Sequence, residues 1–176
     1  MTIRAARTTD IPAIQEIERA AGEPFRGIGL AEIADDEPPG ADELAACIRS
    51  SGALVAVDGT DTPVAYLLVE TLGTRAHIEQ VSVHPSHARQ GLGARLIEAA
   101  DAWALERGLT ELTLTTFADV PWNAPYYARL GFLLLPDEQW DDALRDRVRE
   151  EAAAGLALSD WPRVAMARDA RRRSAV

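Results

Sequence analysis

Val81-Ser82-Val83-His84-Pro85-Ser86-His87-Ala88-Arg89-Gln90-Gly91-Leu92-Gly93-Ala94-Arg95-Leu96-Ile97 reads as an alternating apolar strand, a turn marked by Pro85, two glycines, and the first turns of an amphipathic helix. A loop that feeds a helix start in this way offers several main-chain N–H groups and the positive end of the helix dipole to one anion. The pattern predicts a ligand that carries phosphate. Two spaced glycines alone do not say which one. A dinucleotide-binding fingerprint needs a third glycine or alanine where Leu96 stands, and a tighter turn than His84 to Gln90 allows. A P-loop needs Gly-Lys followed by Ser or Thr, and the chain contains no lysine. Glycines that merely open a helix are the plain alternative.

Working outward, Ile3 to Arg7 reads as an opening strand. Thr8-Thr9-Asp10 supplies N-cap oxygens for a helix carrying Ile11, Ile14 and Ile17, with Pro12 tolerated in its first turn. Gly22 to Gly40, rich in glycine and proline, reads as a long loop with one helical turn around Leu30 to Ile33. Asp42 to Ser50 predicts a second helix, stopped at Gly52. Ala53 to Val57 and Pro63 to Leu72 predict two antiparallel strands joined by the turn Asp58-Gly59-Thr60-Asp61. The strand Ala76 to Val83 leads into the opening stretch. Its helix runs from Gly91 to Arg107 and buries Leu92, Leu96, Ala99, Ala100 and Trp103. Glu111 to Thr116 alternates as a strand, Pro125 to Leu130 forms a short helix closed by Gly131, and Phe132 to Leu135 follows as a strand. Asp137 to Ala154 has helical composition, Pro162 to Arg168 reads as a last strand, and an arginine tail follows.

A chain of 176 residues and 19.1 kDa fits one domain with a proper core. No apolar run approaches the roughly 18 residues of a membrane-spanning helix, and Met1 to Arg7 lacks the apolar stretch of a secretory signal, so a cytoplasmic protein without membrane contacts is expected. The lone Cys47 forms no intrachain disulfide and packs among Leu44, Ala45 and Ile48. A net charge of −10 opposes binding to nucleic-acid phosphates and favours cationic or neutral small molecules. His77, His84 and His87 have no acidic partner at a ligand spacing, so no metal is expected.

Three features, in order along the chain, resemble the GNAT superfamily of acetyl-CoA-dependent N-acetyltransferases. Val83-x-Pro85 followed by Arg89-Gln90-Gly91-Leu92-Gly93-Ala94 is similar to that family's pyrophosphate loop. Ile78-Glu79-Gln80-Val81 resembles its preceding strand with a carboxylate. Tyr127-Ala128-Arg129-Leu130-Gly131-Phe132 resembles its tyrosine, helix end and glycine-aromatic strand start. The chain departs from the family pattern at Ala88, where Arg or Gln is usual, and at Asn123, which lies nearer Tyr127 than the usual asparagine. The resemblance implies an α/β (α+β) fold, with a mixed, mostly antiparallel sheet of six to seven strands flanked by helices on both faces. One acetyltransferase domain over residues 1–170 and a basic tail over 171–176 complete the expected layout.

The implied activity is transfer of acetyl from acetyl-CoA, the co-substrate, to a primary amine by direct attack in a ternary complex, with a small-molecule acceptor favoured. A catalytically inactive acetyl-CoA-binding module and a protein N-terminal or lysine acetyltransferase stay open beside it. A lysine-like amine has a pKa near 10.4 and arrives charged, so a proton acceptor is needed. Glu79 is the candidate base, with a salt-bridged surface glutamate as the alternative. By resemblance, Tyr127 protonates the leaving thiolate and Tyr126 packs beside it. Main-chain groups of Val81, Ser82 and Val83 face the pantetheine arm, an N–H near Val81 polarises the carbonyl, and Asn123 is a further coenzyme contact. The last strand and the tail are candidate homodimer contacts.

Overall fold

The computed structural model describes residues 1–156 and 161–171, so the tail expected at 171–176 lies outside the described residues from 172 onward. Its strands are β1 (Thr2–Ala5), β2 (Ala53–Val57), β3 (Pro63–Leu72), β4 (Arg75–Val83), β5 (Glu111–Phe117), β6 (Leu133–Leu134) and β7 (Arg163–Asp169). The helices are α1 (Ile11–Arg26), α2 (Ala31–Ala34), α3 (Ala41–Arg49), α4 (Leu92–Glu106), α5 (Ala124–Arg129) and α6 (Asp142–Glu151). The strands form one mixed seven-stranded sheet in the order β1-β2-β3-β4-β5-β7-β6, flanked by helices. Among the described residues no helix is long and apolar enough to cross a membrane. The chain divides into two units, Met1–Val69 with Gln80–Ala100 and Glu70–Glu79 with Asp101–Val176.

In the first unit, β1 pairs antiparallel with β2 from Thr2↔Val57 to Ala5↔Leu54, and β2 pairs antiparallel with β3 from Ala53↔Leu68 onward. Alternation puts Ala53, Val55 and Val57 on one face with Tyr66 and Leu68. Ile14 and Ile17 of α1 and Leu44 of α3 close over that face, with Cys47 packed at its margin. Asp10 fixes the entry into α1: its carboxylate accepts from the Arg7 N–H at 2.7 Å and from Arg4 Nη1 at 2.7 Å. Burial works against the charge on Asp10, but Arg4 and the Arg7 N–H outweigh it and hold the carboxyl below its ordinary range.

The loop expected to begin at Gly22 is instead the last turn of α1, which continues through Pro24 to Arg26. The proline removes only the bond its N–H would give to the Ala20 carbonyl, and the helix ends two residues later. Arg26 in that last turn binds Glu23 at 3.6 Å and Asp35 at 2.7 Å, which places a cation at the negative end of the helix.

In the second unit, β5 pairs in parallel with β4 from Ala76↔Leu112 to Ile78↔Leu114, and antiparallel along its whole length with β7. The short β6 adds to the far side of β7. Leu135, Leu144 and Ala165 form a small core with Leu72, Trp140 and Val148 around it. The helix expected over Asp137 to Ala154 is broken into a 3₁₀ turn, α6 and a terminal π-helical turn. Asp141 causes the break: its side chain accepts from the Leu144 N–H at 2.9 Å and so caps a new helix. The same carboxylate pairs with Arg75 at 3.0 Å. Gly108, at φ +73°, stops α4 with bonds from Gly108 N to Leu105 O and from Leu109 N to Ala104 O, the two bonds of a Schellman turn.

Candidate active site

The glycine loop lies in the first unit. After a 3₁₀ turn at Pro85–His87 the chain takes up left-handed backbone at Arg89 (φ +60°) and Gly91 (φ +73°), and α4 begins at Leu92. The Gly91 carbonyl accepts from Arg95 N at 3.1 Å, so Arg95 carries the first N–H taken up within the helix. Leu92, Gly93 and Ala94 precede it, where helix N–H groups have no intrahelical acceptor. A Cβ built on Gly91 meets nothing within 4 Å, and Arg89, Gln90 and Gly91 are exposed, whereas Leu92 and Gly93 are buried. An open cradle with a guanidinium beside a helix start suits a phosphate-bearing ligand.

Just before this loop, Gln80–Val83 ends β4. The Ser82 hydroxyl is buried and donates to Glu18 of α1 at 2.6 Å. His84 and His87 face Ser86 through their Nδ1 atoms, at 2.7 and 2.9 Å.

Glu79 lies in the second unit. Its carboxylate does not pair with Arg75 of the same strand, which binds Glu111 and Asp141. It pairs instead with Arg147 of α6 at 3.3 Å. Arg147 also binds Glu70 at 2.5 Å and Glu150 at 3.6 Å, so one guanidinium serves three carboxylates. Sequence reasoning missed both Arg147 and Glu70. The charge pattern of α6 marks Arg147 only as a surface residue, and its partner Glu79 stands 68 positions away.

Tyr127 is positioned by its own helix end. Phe132 N donates to Tyr127 O at 3.1 Å and Gly131 N to Ala128 O at 3.0 Å, with Gly131 at φ +88°. These are the two bonds of a Schellman turn, and the apolar contact that accompanies such turns is made by the Tyr127 and Phe132 rings, 5.9 Å apart. Tyr126 packs edge-on against Tyr127 at 5.5 Å. Burial pushes the Tyr127 phenol well above the ordinary tyrosine value, with Tyr126 adding to the rise and Arg163 opposing it. The phenol therefore holds its proton at neutral pH. Asn123 precedes α5, and its carbonyl accepts from both Tyr126 N and Tyr127 N.

Two further features of this unit bear on the site. Arg168 of β7 donates to the Leu130 carbonyl at 3.0 Å and to Asp101 at 2.6 Å, and its guanidinium lies 4.9 Å from the Phe132 ring centre. The turn carrying Tyr127 is thus held to β7 by the Arg168 bond to Leu130 and its contact with Phe132, while the same guanidinium pairs with the buried Asp101 of α4. His77 is 1% exposed, with Nδ1 3.0 Å from Thr113 Oγ1. Burial, with Arg147 and Arg163 adding repulsion, pushes it down to about 3 and keeps it neutral. Trp122, which precedes α5, is exposed.

A model of the Acetyltransferase (GNAT) family matches residues 13–132. Among solved structures, PaiA N-acetyltransferase from Thermoplasma acidophilum, in complex with coenzyme A, matches with a TM-score of 0.68 at 15% identity, covering 96% of this chain and 98% of that one. N-acetylglutamate synthase from Neisseria gonorrhoeae, complexed with coenzyme A and N-acetyl-glutamate, matches with a TM-score of 0.69 at 17% identity, covering 97% of this chain and 35% of that one. The ribosomal-protein-S18-alanine N-acetyltransferase of Escherichia coli matches with a TM-score of 0.64 at 20% identity, covering 98% of this chain and 96% of that one. At these identities the likeness to the solved structures is one of fold.

Proposed function

The chain belongs to the GNAT acetyltransferase family, and from that premise we propose that it transfers acetyl from acetyl-CoA to the primary amine of a small molecule by direct attack in a ternary complex. The observation that carries this reading is the placement of Tyr127: a phenol fixed on a turn closed by two backbone bonds and an aromatic contact. The open cradle at Gly91 supports the binding half of the reading.

In this mechanism Arg89, Gln90 and the N–H groups from Gly91 to Ala94 hold the pyrophosphate of the coenzyme. Main-chain groups of Val81, Ser82 and Val83 align the pantetheine arm as an added strand would align, and Asn123 contributes a further contact. The Val81 N–H polarises the thioester carbonyl, and a donor aimed at a developing oxyanion is worth roughly 3 kcal/mol. Glu79 takes the proton of the incoming ammonium, directly or through water. The freed lone pair forms the N–C bond, the C–S bond breaks, and the departing thiolate takes the Tyr127 proton. The amide nitrogen loses its second proton, Tyr127 regains one, and the turnover releases one proton net.

A non-catalytic acetyl-CoA-binding module is the second reading, and the Glu79–Arg147 ion pair is what favours it, because a neutralised carboxylate is slow to accept a proton. One experiment separates the two. Acetyl-CoA is expected to raise the melting temperature by mass action, and a panel of amines, amino acids, aminoglycosides and peptides assayed for free thiol is expected to yield turnover. A shift without turnover leaves the binding module, and no shift at saturating acetyl-CoA overturns both readings.

A further inference from the structure

Glu18 of α1 is a carboxylate the mechanism above does not use. It stands one helical turn after Ile14, at the margin of the apolar face, and is half-buried. Three uncharged donors converge on it: the Tyr66 hydroxyl at 2.6 Å, the Ser82 hydroxyl at 2.6 Å and the Gln80 amide at 2.9 Å. Gln80 also donates to the Ser82 oxygen at 3.0 Å, which fits two residues on one face of β4. Tyr66 is fully buried and Ser82 nearly so, so two of the three donors are held rigidly. Among the described residues no arginine or histidine pairs with Glu18, whereas Glu79 is matched by Arg147. A carboxylate fixed in place, open to solvent on one side and without a counter-charge is a ready partner for a cation.

We propose that Glu18 anchors a second ammonium of the acceptor, so that the preferred substrates are diamines or longer polyamines. Amino acids, whose carboxylate would meet Glu18 as a like charge, are disfavoured. This rests on the functional reading above through Val81. Gln80 and Ser82 are its immediate neighbours, with Cα atoms about 3.8 Å along the chain on either side. A cation on Glu18 is therefore held close to the N–H assigned to the reacting carbonyl. Glu18 selects and positions the acceptor and takes no proton from it. The net charge of −10 works in the same direction by raising the local concentration of cations.

The test compares putrescine with butylamine, which has the same chain length and one ammonium, and with glutamate, in the wild type and in Glu18→Gln. Glutamine keeps the shape and an acceptor oxygen for the two hydroxyls but lacks the charge. For the wild type, kcat/KM is expected to be highest for putrescine, with a KM that rises with salt more steeply than that of butylamine. In Glu18→Gln the putrescine KM is expected to rise about tenfold or more, while butylamine changes less than about threefold and the acetyl-CoA-induced melting shift persists. Equal losses for both amines would mark Glu18 as a structural staple and overturn the inference. A wild type that prefers butylamine or glutamate, or that shows no salt dependence specific to putrescine, overturns it without any variant and so covers the case in which Glu18→Gln fails to fold. A wild type whose melting temperature ignores acetyl-CoA defeats the functional reading itself, a distinct outcome.

Discussion

At the scale of single residues, the proposed chemistry turns on what each side chain is tied to. Tyr127 keeps its ring between Tyr126 and Phe132 whether or not it carries a hydroxyl, so Tyr127→Phe removes a proton and little packing. Its turnover is expected to fall about a hundredfold, the low end for a lost general acid, with the acetyl-CoA-induced melting shift intact. Steady-state thiol release checks this, and unchanged turnover would remove Tyr127 from the mechanism. The turn that carries Tyr127 was legible in the sequence because its contacts are local, spanning the six residues from Tyr127 to Phe132. The fate of Glu79 was not, since its partner Arg147 is remote along the chain and the nearer Arg75 is taken by Glu111 and Asp141. Glu18 was invisible for the same reason: its three donors come from β3 and β4.

At the scale of elements, the glycine at the end of α5 links sequence to site. Gly131 sits at φ +88°, and a Cβ there would run into the Arg171 guanidinium, the far end of a flexible side chain. The left-handed backbone is thus the main obstacle, and Gly131→Ala is expected to cost about 1–2 kcal/mol. Gly59→Ala, where a Cβ meets nothing within 4 Å and φ is not left-handed, is expected to stay within about 0.5 kcal/mol. Urea unfolding of the two variants measures the contrast, and equal stabilities would show that the left-handed backbone at residue 131 carries no such cost. Strands β2 and β3 were legible to the residue because a tight turn separates two clean apolar runs. The end of α1 and the break before α6 were not. Pro24 reads as a breaker in sequence but is followed by only two helical residues, and Asp141 lies within a run of helical composition that hides its capping bond to the Leu144 N–H.

At the scale of the whole molecule, stability should depend on pH through groups whose proton affinity folding changes. His77 is the largest single case: its ordinary value of 6.5 is pushed down to about 3 by burial first and by Arg147 and Arg163 second. Between those values the unfolded chain binds a proton that the folded chain refuses, so stability is lost as pH falls through that window. At about 1.4 kcal/mol per pH unit, moving from pH 7 to pH 5 should cost about 2 kcal/mol from this residue alone. Asp10, held below its ordinary range despite burial, adds to the loss only under more acidic conditions, below 3.8. Asp101 acts in the opposite sense: burial raises its carboxyl even against Arg168, so it binds a proton more readily folded than unfolded and gains stability as pH falls. Falling net charge also relieves the self-repulsion of a chain at −10. These opposing trends make the wild-type slope alone uninformative, and the difference from a variant isolates the histidine. His77→Gln keeps a polar partner for Thr113 and cannot take up a proton, so it should be less sensitive than the wild type to the change from pH 7 to pH 5 by about 2 kcal/mol. Urea unfolding of both proteins at the two pH values measures that difference, and parallel pH profiles would mean that His77 is not refusing its proton in the folded state.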